Sequence, residues 1–494
     1  MIVVAKVLSL FAYLFVFVVG MGVLWLVVIY IIDVTQAKHA IRRNFPVVGR
    51  FRYMFEHLGE FFRQYFFSQD REEMPFNRAE RNWCYRAAKG IDTTVAFGST
   101  RDLRKVGTVI FANTAYPTLG EDAEPAKTYT IGPDCKYPYS TRRFFHVSGM
   151  SFGAISKPAV LALSRGAKAA GCWVNTGEGG LSPYHLEGGA DIVFQIGTAK
   201  YGVRKADGGL DKDKLAEVAA HDQVRMFEIK LSQGAKPGKG GILPGIKVTD
   251  EIAKIRGIPA GQDSISPNRH PEIMDAASLL DMIDQVRRVT GKPVGFKAVV
   301  GGFCWLRDIF EEINRRGVSS APDFITVDSG DGGTGAAPQA LIDNVGLPIR
   351  ESLPKVIDEL KAFGLRERVL VIASGKLINP VYGAAIFCAG ADFIVSARGF
   401  MFALGCIQAL QCNKNTCPTG VTTHDPKLQR GLVPADKAQR VERYQHEMEK
   451  EICVIAHSCG VARPRLLERR HARLVQENGL SVPMDKLYPE AGID

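Results

Sequence analysis

Three cysteines carry the most specific chemical signal in the chain. In the stretch GCIQALQCNKNTCPTG, Cys406, Cys412 and Cys417 stand at C-x5-C-x4-C with Pro418 directly behind the third. Thiolates are soft ligands suited to iron–sulfur clusters or zinc, and iron-cluster runs commonly close on Cys-Pro. Three close thiolates suit a three-iron cluster, or a four-iron cluster with one outside ligand; zinc and three small buried hydrophobes are the alternatives. The remaining seven of the ten cysteines are too scattered for a disulfide framework.

A second group is cationic. Lys230 and Lys297 lie inside the apolar runs FEIK and GFKAVV, where an ammonium persists only if it meets an anion. Lys230, with Lys236 and Lys239 behind it, could hold a carboxylate substrate, and Glu178, flanked by Gly177 and Gly179, could orient an amine or imine. The structural alternative pairs Lys230 and Lys297 with Glu228 or Asp328. Asp331 is expected to cap a glycine-rich loop or arrange the substrate, with metal ligation as the alternative. Other chemistries are excluded. His146, His185, His221, His270 and His424 have no HxxxH or HExxH relation, and no P-loop occurs.

Such groups need a scaffold that brings distant loops to one face. From Phe144 onward, eight short apolar runs recur, at 144–148, 172–175, 192–196, 226–230, 294–300, 324–328, 369–373 and 393–397, each followed by glycine-rich or polar residues and a plausible helix. This is the arithmetic of an α/β (β/α)8 TIM barrel, with an open doubly wound sheet as the competitor. The loops beyond the strands contain Ser148, Gly149, Met150 and Ser151; Asp331, Gly332 and Gly333; Gly375 and Lys376; and Arg398 and Gly399. Glycines let backbone amides approach an anion, and barrels commonly hold phosphate after strands 7 and 8, so these residues are expected to bind a phosphate-bearing ligand. Lys297 would then face an electron-rich flavin ring and stabilise its reduced, anionic form.

The amino terminus sets the location. Val7–Ile32 is an uncharged apolar stretch of 26 residues, about 39 Å as a helix and long enough for one tilted membrane crossing. It exceeds the core of a signal peptide and no small-x-small cleavage pattern closes it. Residues 7–32 are therefore expected to be a single transmembrane helix. Lys38, Arg42, Arg43, Arg50 and Arg52 behind it place the body in the cytoplasm, at the inner or plasma membrane. Residues 33–139 are expected to form a juxtamembrane and helical extension. Within it, Phe51–Phe67 reads as an amphipathic helix lying on the bilayer or packed on the main domain. Sixty-two basic against 52 acidic residues give +10, but no basic stripe with aromatics marks a nucleic-acid interface.

Together these residues resemble the FMN-binding synthase domain of the glutamate synthases. The resemblance covers 140–427, in order, through SGMSFGAIS, NTGEGG, EIKLSQGAKPGKGGILPGIKV, ISPNRH, SGDGGTGAAP and CNKNTCPTGVTTHDP. It implies a barrel that holds FMN beside a [3Fe-4S] cluster on Cys406, Cys412 and Cys417. Glu178 and Lys230 match positions at the 2-oxoglutarate and ammonia end, and Lys297 matches a residue of the flavin site. The implied reaction is reductive amination of 2-oxoglutarate to glutamate through 2-iminoglutarate, with electrons from a ferredoxin or reductase subunit. A related flavin oxidoreductase acting on another 2-oxo acid or amine adduct, and a non-catalytic membrane electron-transfer component, are the alternatives. Departures from the family pattern are plain. No glutaminase domain precedes the barrel, so ammonia is expected to come free or from a separate glutaminase. The family's QIK at strand 4 is Glu228-Ile229-Lys230, its Asp-Gly-Gly-Leu after strand 7 is replaced by Ser374-Gly375-Lys376-Leu377, and both changes are expected near ligand positions. Its β-helical carboxyl-terminal domain is replaced by a helical tail, 428–494, where Cys453, His457 and Cys459 are expected to be helix core.

Overall fold

All eight apolar runs become strands. A computed structural model describes residues 2–124 and 126–489. It contains β1 (Phe145–Val147), β2 (Val174–Asn175), β3 (Ile192–Ile196), β4 (Val224–Lys230), β5 (Val294–Val299), β6 (Phe324–Asp328), β7 (Leu370–Ser374) and β8 (Phe393–Ser396). The strands are parallel and close in chain order, with β8 hydrogen-bonded back to β1, so the sheet is a barrel and not an open doubly wound sheet. Burial on both faces explains why the runs are nearly continuous in apolar residues instead of alternating.

Side chains two residues apart point the same way along a strand and stack in layers inside the barrel. On β4 and β6 the inward series are Met226–Glu228–Lys230 and Phe324–Thr326–Asp328. The lowest layer is apolar: Trp173, Val193, Met226, Phe324, Ile372 and Phe393 form one buried cluster with Ile131 and Tyr139. Those last two residues come from an antiparallel hairpin, Tyr129–Ile131 with Tyr139–Thr141, which plugs the amino-terminal mouth. Polarity rises toward the opposite end, where register sets Lys297 beside Lys230.

The tail belongs to the barrel's structure. Helix Pro434–Ser458 lies along helix Lys157–Ala170, and Gly166 permits the contact: a Cβ there would come within 2.5 Å of Val441 Cβ and 2.6 Å of the Ala438 carbonyl. The Glu449 carboxylate accepts the amides of Phe144 and Phe145 at 2.9 and 3.2 Å and pairs with Arg143 at 3.0 Å, fixing the start of β1. Gly166→Val is expected to cost about 1–3 kcal/mol through overpacking. Thermal unfolding of the full chain checks this, and an unchanged midpoint would mean that the two helices separate freely.

Two expectations need correction. Neither the 33–139 extension nor the 428–494 tail is wholly helical, because Val109–Phe111 pairs with Ala472–Val475, which pairs with Ser481–Pro483. Segments of three or four residues show no measurable periodicity, and their stability comes from partners hundreds of positions away. Cys459 is buried and Cys453 half-buried at the end of the long helix; residues 490–494 of the tail lie outside the described residues.

The amino-terminal unit spans Met1–Glu80 and the second unit Arg81–Asp494. Helix Ile2–Thr35 contains a segment, Val4–Thr35, long and apolar enough to cross a membrane by length and composition. At its end the buried Asp33 carboxylate takes the Arg50 guanidinium, Nη2 to Oδ1 at 2.8 Å and Nε to Oδ2 at 2.9 Å, and the Val47 amide at 3.0 Å. A helix follows over Gly49–Phe62 and continues as a π-helical turn through Phe67.

Candidate active site

The carboxyl-terminal ends of the strands open on one cavity. Its walls include Ser148, Gly149, Met150 and Ser151 after β1, Glu178 after β2, Lys230 of β4, Lys297 of β5, Gly333 after β6, Gly375 and Lys376 after β7, and Arg398 after β8. Local backbone chemistry brings these loops together. Gly177 has φ +61°, and a Cβ on it would stand 2.6 Å from the Ser151 amide; Gly375 has φ +120° against Ser329. Both are left-handed positions where only glycine fits the approach.

Two buried ion pairs stand side by side at the cavity floor. Lys230 Nζ lies 3.0 Å from Glu178 Oε1, and Lys297 Nζ lies 3.0 Å from Asp328 Oδ2. Lys230 also donates to Gln233, whose amide donates to Thr334 Oγ1 at 3.0 Å. Burial works against the Glu178 carboxylate, but the Lys230 ammonium, helped by Lys236 and Arg256, outweighs it and lowers the Glu178 pKa. Burial likewise opposes the Lys297 cation, yet Asp328 and then Glu228 hold its pKa above the ordinary value. Lys236, also buried at the cavity wall, is pushed down to about 8, first by burial and then by Lys230. The floor therefore holds two cations compensated by carboxylates, and the wall a third whose pKa burial depresses to about 8.

Glu228, expected beside ligand positions, lies one layer deeper. It is 3% exposed and accepts from Asn175 Nδ2 at 2.8 Å, Gln195 Nε2 at 2.7 Å and Thr326 Oγ1 at 2.6 Å. Its influence on the cavity passes through Lys297. Lys230, for which a partner in Glu228 or Asp328 was the structural alternative, pairs instead with Glu178. Other expected residues stand off the cavity wall. Asp331 pairs with Lys376 at 2.8 Å and accepts from Ser329, as a loop-capping residue does. Gly332 packs against Ser329, Gly399 is buried beneath Tyr444, and Lys239 is exposed.

The cysteine loop meets the same cavity at its rim. Cys412 lines it, with Arg398 Nη1 3.7 Å from Sγ, while Cys406 and Cys417 are buried behind. The three thiols are near enough for Cys412 and Cys417 to act electrostatically on Cys406. Among the described residues no three Cys, His, Asp or Glu side chains gather as ligands of one metal ion. Lys247, 1% exposed, ties this loop to the β1 loop by donating to the Ala154 carbonyl at 2.8 Å and the Cys412 carbonyl at 3.2 Å.

Sequence reading missed Gln195, Gln233, Lys247 and Arg256 at this cavity. Gln195 and Lys247 left a usable trace, being polar within IVFQI and GIKV. Arg256 left none, since it ends a helix of ordinary amphipathic composition and reaches the site through Ser264 Oγ at 3.1 Å and the Phe152 carbonyl at 3.4 Å.

Comparison with known proteins identifies the lineage. The conserved region in glutamate synthase matches residues 113–462, which takes in the whole barrel, the cysteine loop and the long tail helix. The chain belongs to the glutamate synthase family. It is 40% identical to the glutamate synthase large subunit-like protein YerD of Bacillus subtilis (strain 168), over 93% of this chain and 94% of that one. Identity to an archaeal-type glutamate synthase [NADPH] of Thermotoga maritima is 34%, over 64% of this chain and 59% of the relative. A glutamate synthase large subunit-like protein of Rhizobium meliloti (strain 1021) is 29% identical over 76% of this chain and 85% of its own length. Within the glutamate synthase family, the chain thus matches YerD along nearly its full length, whereas it spans only about three-fifths of the archaeal-type enzyme.

Proposed function

We propose that the protein is an FMN- and iron–sulfur-dependent oxidoreductase that makes glutamate from 2-oxoglutarate and ammonia. It would be held at the inner or plasma membrane by residues 7–32, with its catalytic unit in the cytoplasm. The observation that carries this reading is the adjacency of the Lys230–Glu178 and Lys297–Asp328 pairs on a cavity whose rim is Cys412.

The residues present fit both groups. Lys376 and Arg398 with Ser374 and Ser396 supply cations and donors for a phosphate, while Met150, Leu243 and Met401 supply an apolar wall for a ring system. Cys406, Cys412 and Cys417 give three thiols beside the cations of Arg398 and Lys247, which balance thiolate charge. An iron–sulfur cluster spreads its cysteines over separate irons, so its ligands do not need to converge as those of a single ion do. Bound FMN would supply hydride transfer, and the cluster would pass single electrons from an external donor such as a ferredoxin or reductase subunit.

The chain's own residues would bind, orient and neutralise. Lys230, Lys236 and Arg256 present positive charge to the two carboxylates of 2-oxoglutarate, which fixes the C2 carbon relative to the hydride source. Glu178, kept ionised by Lys230, would accept hydrogen bonds from the incoming ammonia and hold it at that carbon, where its lone pair adds and water leaves to give 2-iminoglutarate. Lys297 places a fixed cation where negative charge develops. Ammonia would come free in solution or from a separate glutaminase.

The test is anaerobic purification followed by assay with ammonium, 2-oxoglutarate and a reduced low-potential donor. Glutamate should form, and protein holding flavin but inert toward both compounds would reject the activity while leaving the cofactor assignment standing. Lys236 adds a pH signature. Below about 8 it is cationic and attracts the dicarboxylate; above that it is neutral. The KM for 2-oxoglutarate should therefore climb above pH 8 in the parent, and Lys236→Met should flatten the rise while raising KM at pH 7.

A further inference from the structure

From the exposed apolar face of the helix Gly49–Phe62, we infer that this helix lies in the surface layer of the bilayer crossed by the anchor, as a second membrane contact. The inference rests on reading residues 7–32 as that anchor. Phe51, Met54, Phe55, Leu58 and Phe62 recur at helical spacing and fall within a sector of roughly 100° around the axis. They are exposed: Phe51 by 53%, Phe55 by 61% and Phe62 by 45%. An exposed aromatic stripe of this kind needs an apolar partner. The opposite face is polar, and on it Arg52 and Glu56 pair at 3.7 Å.

Depth identifies the partner. Asp33 ends the apolar run and so marks the level at which the anchor leaves the hydrocarbon. The Arg50 guanidinium is clamped on that carboxylate, with the Val47 amide on its second oxygen, so Phe51 begins its helix at the level of Asp33. Aromatic side chains at that level sit at the headgroup boundary, where their rings are stable. Charge agrees, since Asp33–Arg71 carries seven Lys/Arg against four acids, a balance that favours anionic headgroups.

Site-specific photocrosslinking of the full chain in vesicles containing phosphatidylglycerol tests this. p-Benzoylphenylalanine is placed singly at Phe51, Phe55 or Phe62, at Arg52 or Glu56 on the other face, and at Leu14 within the anchor. Lipid adducts are expected at Leu14, Phe51, Phe55 and Phe62, with loss of adducts at Arg52 and Glu56. Lipid adducts at Leu14 but protein adducts at Phe51, Phe55 and Phe62 would overturn the inference and leave the anchor intact. Equal lipid labelling on both faces would also overturn it, because the helix would then have no oriented contact. Absence of lipid at Leu14 would reject the anchor itself, and this inference with it.

Discussion

Lys230→Met should lower kcat/KM for 2-oxoglutarate about 10²- to 10³-fold, the loss typical of removing one preorganised charge aimed at a reacting group. The side chain performs two tasks from one buried position. In the proposed reaction it offers positive charge to the substrate, and at 3.0 Å it holds the Glu178 pKa down against the burial that opposes its charge. Glu178→Gln should then cost a similar factor, and the double variant little more than either alone, because residues acting as a unit are not additive. Bound-flavin absorption should persist in all three variants, which separates this outcome from unfolding. If Lys230→Met kept kcat/KM within about threefold of the parent, the Lys230–Glu178 pair would be a packing feature and substrate recognition would have to lie elsewhere.

Cys412→Ser should remove most of the iron and abolish turnover driven by an external donor while leaving flavin bound. Of the three thiols, Cys412 is the one on the cavity wall, beside Arg398, and the other two are buried behind it. Losing a ligand should weaken cluster binding by at least the roughly 10- to 100-fold seen when only an outer partner of a metal ligand is removed. Direct chemical reduction of the flavin should still allow glutamate to form, since Lys230, Glu178 and Lys297 are untouched. Parent-level iron and donor-driven turnover in Cys412→Ser would reject the cluster assignment and leave the flavin chemistry to stand by itself.

Much of this site was legible in the chain because the barrel imposes local rules. Strands buried on both faces must be short apolar runs, as FFHVS, IVFQI and FITVD are, and the loops after them must carry glycine if several backbones are to meet, as SGMSFG, NTGEGG and SGDGGTG do. An ammonium inside FEIK or GFKAVV signals a hidden anion. For Lys297 the partner was among the anions the sequence offered, Asp328; for Lys230 it was not, because Glu178 reaches it from the loop after β2, two strands away, and no spacing rule connects them. Glu228 could have been placed correctly from its position alone: two residues before Lys230 on the same inward face, it falls in the layer below. The pairing of Val109–Phe111 with Ala472–Val475 was invisible for another reason. Such contacts are fixed by tertiary closure over the whole domain, and the residues themselves would suit many edges equally well.

The chemistry that unites these elements is most directly tested by a single turnover without an electron donor. Protein whose flavin has been photoreduced anaerobically is mixed with ammonium, with 2-oxoglutarate, or with both, while flavin absorbance is followed and the products are identified. Flavin colour should return rapidly only when both compounds are present, with glutamate formed in proportion to the flavin reoxidised. Reoxidation by 2-oxoglutarate alone to a hydroxy acid, or none with either compound, would contradict the assignment of this cavity to reductive amination.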